Sequence, residues 1–425
     1  MPPVLPSILR CFRPAVSRPE AETAAPSSSQ EHNRPGSPER SPRRAPAALQ
    51  GLTPRAGSSR RQAVPETPPE PASFLTDGEC QLGGYLMARE VDRRPVEGEP
   101  LDALRPANET LLQARRMLPY GRGNVDEDIA VTRGASSIRA EAGRQIQDFM
   151  ADAHPEPVIF GVIPMVSGAG NCGEHADLAT VLHAAKLKND EQVHRTSVPG
   201  TDHCWAVLRG GTPDPKKDVV IDPWGKGPAI FAEDSEYSRD SERNKTSFYY
   251  DRASGAQAQA DVEMLRTVLE PEMRRRITNS IHALGPDFRY SPEMIWAVEP
   301  SVAQDFAQRV QEAMAQPADL SKLAAPDNAA ASVEPPVTNE SLMRPLRQAI
   351  QATRTARTLG ARNVDAIAHA AGRIVEVAQD LRGYPVALHL DQPAEDAAEA
   401  KAAEQRRTRR AALGKGASPE TEPER

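Results

Sequence analysis

Residues 168–177 read Gly168-Ala169-Gly170-Asn171-Cys172-Gly173-Glu174-His175-Ala176-Asp177. This pattern predicts a Gly-rich turn that opens a helix at Cys172. A helix N-terminus has unpaired N–H groups and a partial positive charge, and both favour a thiolate over a thiol. Most free cysteines are small buried hydrophobes, but this position instead predicts that Cys172 is a nucleophile.

Two downstream segments can supply a base and an acid for this nucleophile. Residues 203–208 and 218–224 each predict a short strand, and residues 210–215 between them have the composition of a turn. The midpoint between His203 and Asp222 falls inside that turn, so in a hairpin the two residues lie nearly opposite each other on one face. We therefore predict a Cys172, His203 and Asp222 triad, with the imidazole and the thiolate as an ion pair at rest.

Other residues compete for these roles. His175 and His183 lie on the same predicted helix as Cys172 and point along it, so we rank them below His203 as the base. Asp222 precedes a proline and is also typical of a turn. Cys204 follows His203 on a strand, so its side chain faces the opposite side and we expect a core residue.

Several groups are candidates for binding the substrate oxygen. The backbone N–H of Cys172 is the first oxyanion donor, and Asn171, Trp205 or Trp224 is the second. The sequence does not choose among these three. The segment 121–128, with Gly121-Arg122-Gly123-Asn124 at its start, is a weaker candidate for a substrate loop.

A zinc site is the chemical alternative. Cys172, His175, His203 and Cys204 together offer two sulfurs and two imidazoles, which is a suitable ligand set. Neighbouring strand residues face opposite sides, so His203 and Cys204 are poorly placed to bind one ion. We therefore expect no metal and no cofactor.

Composition limits the remaining possibilities. The chain has 425 residues, 40 of them proline, and only 4% are aromatic; the prolines concentrate in the first 75 residues, which predicts disorder there. A net charge of −7 argues against nucleic-acid binding. The four cysteines have no regular spacing, and the longest apolar run, residues 158–166, is too short to span a membrane and predicts a buried strand.

Three motifs carry a resemblance to a known family. The segment Gly170-Asn171-Cys172-Gly173-Glu174-His175-Ala176, the His203-Cys204-Trp205 strand and the strand Val220-Ile221-Asp222-Pro223-Trp224 occur in this order. They resemble the AvrPphE/HopX/XopE family of type III effectors of plant-pathogenic bacteria, within the transglutaminase-like cysteine enzymes. The match covers roughly residues 110 to 300.

The resemblance implies an α+β fold with a papain/transglutaminase-like core, in which antiparallel strands carry the histidine and the aspartate, followed by C-terminal helices. It also implies a Cys-His-Asp triad on Cys172, His203 and Asp222. The expected organisation is a disordered secretion arm over residues 1–75, the enzyme domain over 76–315, a linker over 316–337, a helical extension over 338–392 and a disordered charged tail over 393–425.

The same resemblance implies a location and partners. We expect secretion through the type III system into the plant cytoplasm, with the nucleus and the plasma-membrane periphery as further destinations. The expected partners are host plant proteins as substrates and a bacterial secretion chaperone that binds the N-terminal arm. Hydrolysis of an amide, by a protease or a deamidase, is the first expectation; transglutamination or acyl transfer, and a non-catalytic binding effector, are the alternatives.

Overall fold

A computed structural model describes residues 74–151, 157–210, 214–315 and 340–384. The α-helices in these ranges are α1 (Asp77–Val91), α2 (Glu99–Met117), α3 (Asp126–Val131), α4 (Ala135–Ala151), α5 (Pro157–Ser167), α6 (Cys172–Ala184), α7 (Arg252–Leu284), α8 (Gln304–Ala315), α9 (Glu340–Leu359) and α10 (Val364–Gln379). The strands are β1 (Gly121–Arg122), β2 (Ala169–Gly170), β3 (Gln192–Ser197), β4 (Cys204–Arg209), β5 (Val219–Ile221), β6 (Ile230–Phe231) and β7 (Lys245–Asp251).

The strands form an antiparallel sheet in the order β6-β5-β4-β3-β7, and β1 pairs with β2 in a separate parallel ribbon. Helix α6 packs on β3 and β4, and it also contacts α2, α5 and α7. All of its residues but Leu182 are buried. The chain therefore places Cys172 at the first position of a helix that is buried along nearly its whole length. This architecture confirms the predicted α+β class.

The run 158–166 is a helix, and the predicted strand there is wrong. It belongs to α5, which packs against α4, α6 and α7. A helix enclosed by three others has apolar residues all round, and its sequence then has the same continuous apolar run as a buried strand. Residues 225–256 contain β6, which pairs with β5, and β7, which pairs with β3.

Two helices lie within the predicted helical extension, residues 338–392. Helices α9 and α10 pack on each other and on α1. Ile374 of α10 is fully buried and lies so close to Gly83 of α1 that a Cβ there would be 2.7 Å from its side chain. The linker 316–337 and the tail 393–425 lie outside the described residues, as does the arm 1–75 except for residues 74 and 75.

Among the described helices, none is long and apolar enough to cross a membrane.

The contact between α1 and α10 yields a stability prediction. Ile374→Ala should lower the free energy of unfolding by about 2–5 kcal/mol, because it removes buried methyl groups and leaves a cavity. Ile350→Ala on α9 is the matched control, since that side chain is 46% exposed. Urea denaturation of the full chain measures both changes, and equal effects would contradict the packing of α10 on α1.

Candidate active site

Cys172 is the first residue of α6, as the sequence predicts. The backbone N–H of Asn171, which precedes the helix, donates to Glu174 Oε2 at 2.7 Å, and this bond holds the first turn. The N–H of Cys172 itself has no partner inside the helix, because the first N–H groups of a helix lack the carbonyl four residues earlier. The sulfur therefore lies at the end of a helix that offers donors to an incoming anion.

His203 and Asp222 are directly hydrogen-bonded. His203 Nε2 lies 2.8 Å from Asp222 Oδ2, and both side chains are buried. The other ring nitrogen, Nδ1, is also buried and has no hydrogen-bond partner. Because Asp222 occupies Nε2, Nδ1 is the nitrogen that can accept a proton from another group.

The register of the hairpin differs from the predicted one by two residues. Ala206 pairs with Ile221 and Leu208 with Val219, which puts position 203 opposite 224 rather than 222. A shift of two residues keeps every side chain on its predicted face, since the side-chain period of a strand is two. His203 and Asp222 are therefore diagonal neighbours just beyond the paired strands, and they still meet.

The charges of this pair support each other. Burial alone would lower the pKa of His203, but the Asp222 carboxylate outweighs it and raises that pKa above its ordinary value. Burial alone would raise the pKa of Asp222, but His203 and the N–H of Gly225 hold it below its ordinary value. The aspartate is thus ionised at neutral pH and favours a protonated imidazole.

Three aromatic rings enclose the imidazole. The ring centroids of Tyr237, Trp224 and Trp205 lie 4.7, 5.0 and 5.4 Å from that of His203. These rings exclude water from the pair and fix the orientation of the imidazole. Tyr237 comes from the segment between β6 and β7, and no sequence motif marks it for this role.

Cys172 lies beside this pair without a hydrogen bond to it. Its sulfur donates to the backbone oxygen of Asp202, the residue before His203, at 3.9 Å. Its side chain also packs in one small apolar cluster with Trp224, whose ring contacts His203. Cys172 and the His203–Asp222 pair are therefore linked through Asp202 and Trp224, and the direct hydrogen bond is between His203 and Asp222.

The resting thiol differs from the predicted thiolate. Cys172 is hydrogen-bonded to the thiol of Cys204, and this contact together with burial raises the pKa of Cys172 well above its ordinary value. Desolvation and a neighbouring thiol outweigh the helix terminus, because a partial charge of about one half stabilises an anion less than water does. Cys204 is fully buried, as expected of a core residue, and it also contacts Cys172.

The structure separates the three candidate oxyanion donors. The indole N–H of Trp224 donates to Asn124 Oδ1 at 3.2 Å, so it is already engaged. The indole N–H of Trp205 is buried without a hydrogen-bond partner, and its ring contacts that of His203. Asn171 is buried and directly precedes Cys172, and its side-chain Nδ2 is the group that can donate. The backbone N–H of Cys172, Asn171 Nδ2 and the Trp205 indole N–H therefore stay candidates.

The segment after Gly121 lies next to the site. Gly123 N donates to Gly170 O at 3.0 Å, which joins this segment to the turn before Cys172. Asn124 binds Trp224, and Arg122 forms a buried ion pair of 2.6 Å with Asp128. The segment 121–124 was the weaker candidate for a substrate loop. In the structure it supports the residues around Cys172 and Trp224.

The competing histidines have other partners. His175 Nδ1 lies 2.9 Å from Asn171 O, and His183 Nδ1 lies 3.0 Å from Thr110 Oγ1. Burial lowers the pKa of His175 to about 4 and that of His183 to about 3. Both are neutral supports of α6 at neutral pH. Within the described ranges, no group of three or more His, Cys, Asp or Glu side chains is arranged to hold a metal ion.

Comparison with known protein families, curated proteins and solved structures finds no match to this chain.

The contact between the two thiols gives a prediction on reactivity. Cys204→Ala should lower the pKa of Cys172 and speed its alkylation by iodoacetamide several-fold at pH 8, because it removes the hydrogen bond that raises that pKa. Mass spectrometry of the Cys172 peptide over time measures the rate. Cys80→Ala is the control and should leave the rate unchanged; an unchanged rate in Cys204→Ala would refute the role of the thiol contact.

His183 gives a prediction on acid stability. Its folded pKa of about 3 lies below its unfolded value of about 6.5, so its contribution is present above pH 6.5 and is lost as the pH falls towards 3. Between pH 7 and pH 5, the free energy of unfolding should therefore fall by about 1–2 kcal/mol less in His183→Gln than in wild type. Urea denaturation at both pH values tests this, with exposed His369→Gln as the control that behaves as wild type.

Proposed function

We propose that this chain is a secreted bacterial effector that acts in plant cells as a Cys-His-Asp thiol enzyme on host proteins, by hydrolysis of an amide. The observation that carries the proposal is the buried His203–Asp222 hydrogen bond, which leaves Nδ1 of the imidazole unpartnered, together with a cysteine at a helix N-terminus whose sulfur contacts the backbone of Asp202, the residue before His203. This arrangement supplies a nucleophile, a base and a group that orients the base. A papain/transglutaminase-like core is part of the same proposal, and it rests on the three sequence motifs.

The chemistry begins from a neutral thiol and from the neutral form of the His203 imidazole, whose proton is on Nε2 towards Asp222. As the substrate carbonyl approaches, the Cys172 proton passes to Nδ1 of His203 and the sulfur bonds to the carbonyl carbon. The oxyanion accepts hydrogen bonds from the Cys172 N–H and from Asn171 Nδ2 or the Trp205 indole N–H. The carbon–nitrogen bond then breaks, the imidazolium returns the proton to the leaving amine or ammonia, and a thioester remains. Water, deprotonated by His203, attacks the thioester and releases a carboxylic acid and the thiol.

The raised pKa of His203 favours the hydrolysis of the thioester, in which the imidazole takes a proton from water. An imidazole held next to an ionised carboxylate is a better proton acceptor than a free one. The same carboxylate stabilises the imidazolium that forms when the thiol is deprotonated, without itself accepting the proton. Asp222 therefore contributes to both proton transfers.

The non-catalytic alternative also has an observation in its favour. Cys172 is 5% exposed, its pKa is raised, and it has no hydrogen bond to His203. A protein that only binds a host partner needs no contact between these two groups. Substitution of the cysteine separates the two functions, because binding alone does not require the sulfur.

The proposal predicts the loss of one host-protein modification in active-site variants. Cys172→Ala should abolish it, and His203→Gln should slow it about 10²–10⁴-fold, because a general base contributes that much. Mass spectrometry of plant extract incubated with each protein reads the reaction: new peptide termini indicate a protease, amide-to-acid mass changes a deamidase, and isopeptide cross-links a transglutaminase.

Cys80→Ala is the matched control for this experiment, since it removes a buried thiol away from the site and should retain the modification. If Cys172→Ala folds as wild type and keeps both the modification and the effect in plant cells, the enzyme proposal is wrong and the binding alternative takes its place.

A further inference from the structure

Arg115 lies beneath the loop that follows Asp222. It belongs to α2 and is buried. Its Nε donates to Pro223 O at 3.1 Å, and its Nη2 donates to Gly225 O at 2.7 Å and to Gly227 O at 2.9 Å. One guanidinium thus binds three carbonyls of a single loop, which suits its planar fork of donors.

The burial of this guanidinium costs free energy. Among the described residues, no carboxylate forms an ion pair with Arg115, and burial lowers its pKa to about 10. The group is still protonated at neutral pH, so the loop encloses a full positive charge that its carbonyl oxygens solvate. The charge acts on Asp222, whose pKa it helps to lower.

The loop presents two N–H groups to Asp222. Trp224 N donates to Asp222 Oδ1 at 3.2 Å and Gly225 N donates to the same oxygen at 3.0 Å. These bonds fix the carboxylate so that its other oxygen, Oδ2, faces His203. Gly225 must come so close that a Cβ would lie 2.7 Å from Oδ2, so no other residue fits there without displacing the carboxylate.

The planar peptide bond links these two sets of contacts. In a trans peptide the C=O and the following N–H point in opposite directions. Pro223 O and Trp224 N belong to one peptide plane, so an arginine that holds the carbonyl also aims the N–H at Asp222. Arg122 does the same for the next plane, since its Nη1 donates to Trp224 O at 3.1 Å while Gly225 N points at the carboxylate.

We propose that Arg115 is a positioning residue for the His203–Asp222 pair: by holding the Pro223–Trp224 peptide plane and the carbonyls beyond it, it fixes the carboxylate in the orientation that binds the imidazole. This inference rests on the proposed function for its catalytic meaning. The orientation of Asp222 towards His203 can be measured without catalytic turnover.

The test is an NMR pH titration of the His203 imidazole, assigned by the loss of its signals in His203→Gln. Wild type should titrate above the ordinary histidine range. Arg115→Gln should lower the pKa of His203 by about one pH unit or more, because the carboxylate loses its fixed orientation. Arg115→Lys should also lower it, since an ammonium group does not bind three carbonyls as a planar fork.

Arg89→Gln is the control for general destabilisation. Arg89 is also buried and also donates to a backbone carbonyl, that of Arg94, but it has no contact with His203 or Asp222. It should leave the titration of His203 unchanged while it lowers the midpoint of thermal unfolding. If Arg115→Gln does not fold, the titration of Arg115→Lys alone decides.

A folded Arg115 variant with an unchanged pKa for His203 overturns this inference, whatever its activity. A wild-type protein that lacks Cys172-dependent activity overturns the proposed function, while the titration still tests the positioning of Asp222. The two failures are therefore distinguishable.

Discussion

The hydrogen bond between His203 and Asp222 is the interaction around which the site is organised. Both groups are buried, and a buried imidazole or carboxylate is costly unless it is paired and hydrogen-bonded. The aspartate therefore has every oxygen engaged, with two backbone N–H groups on Oδ1 and His203 on Oδ2. The rings of Tyr237, Trp224 and Trp205 then enclose the imidazole, so that only Nδ1 is without a partner.

Distant parts of the chain support this one bond. Arg115 of α2 and Arg122 of β1 hold the carbonyls of the loop after Asp222. Tyr384, just after α10, packs under the same loop, where a Cβ on Gly227 would lie 2.8 Å from its ring. The helical hairpin of α9 and α10 therefore ends against this loop, while both helices pack on α1.

The protonation of Cys172 follows from competing effects of known sign. The helix N-terminus favours the thiolate, whereas burial, the thiol of Cys204 and nearby carboxylates favour the thiol. Burial and the second thiol prevail, because a buried sulfur anion loses more solvation free energy than it gains from the helix N-terminus. An enzyme with this resting state deprotonates its nucleophile only during the reaction, and its imidazole needs a basic, fixed nitrogen to do so.

The sequence by itself determined the parts of the site that depend on local patterns. A Gly-rich turn before a helix placed Cys172, and two short strands that flank a turn placed His203 and Asp222 on one face, since even a register shift of two residues preserves the face. Tertiary structure alone decided that residues 158–166 form a helix, because an element enclosed by other helices has no periodicity to read. It also decided the protonation of Cys172 and the support of Asp222 by Arg115, since Cys204 and Arg115 reach the site only through packing of α6 on β4 and of α2 on β5.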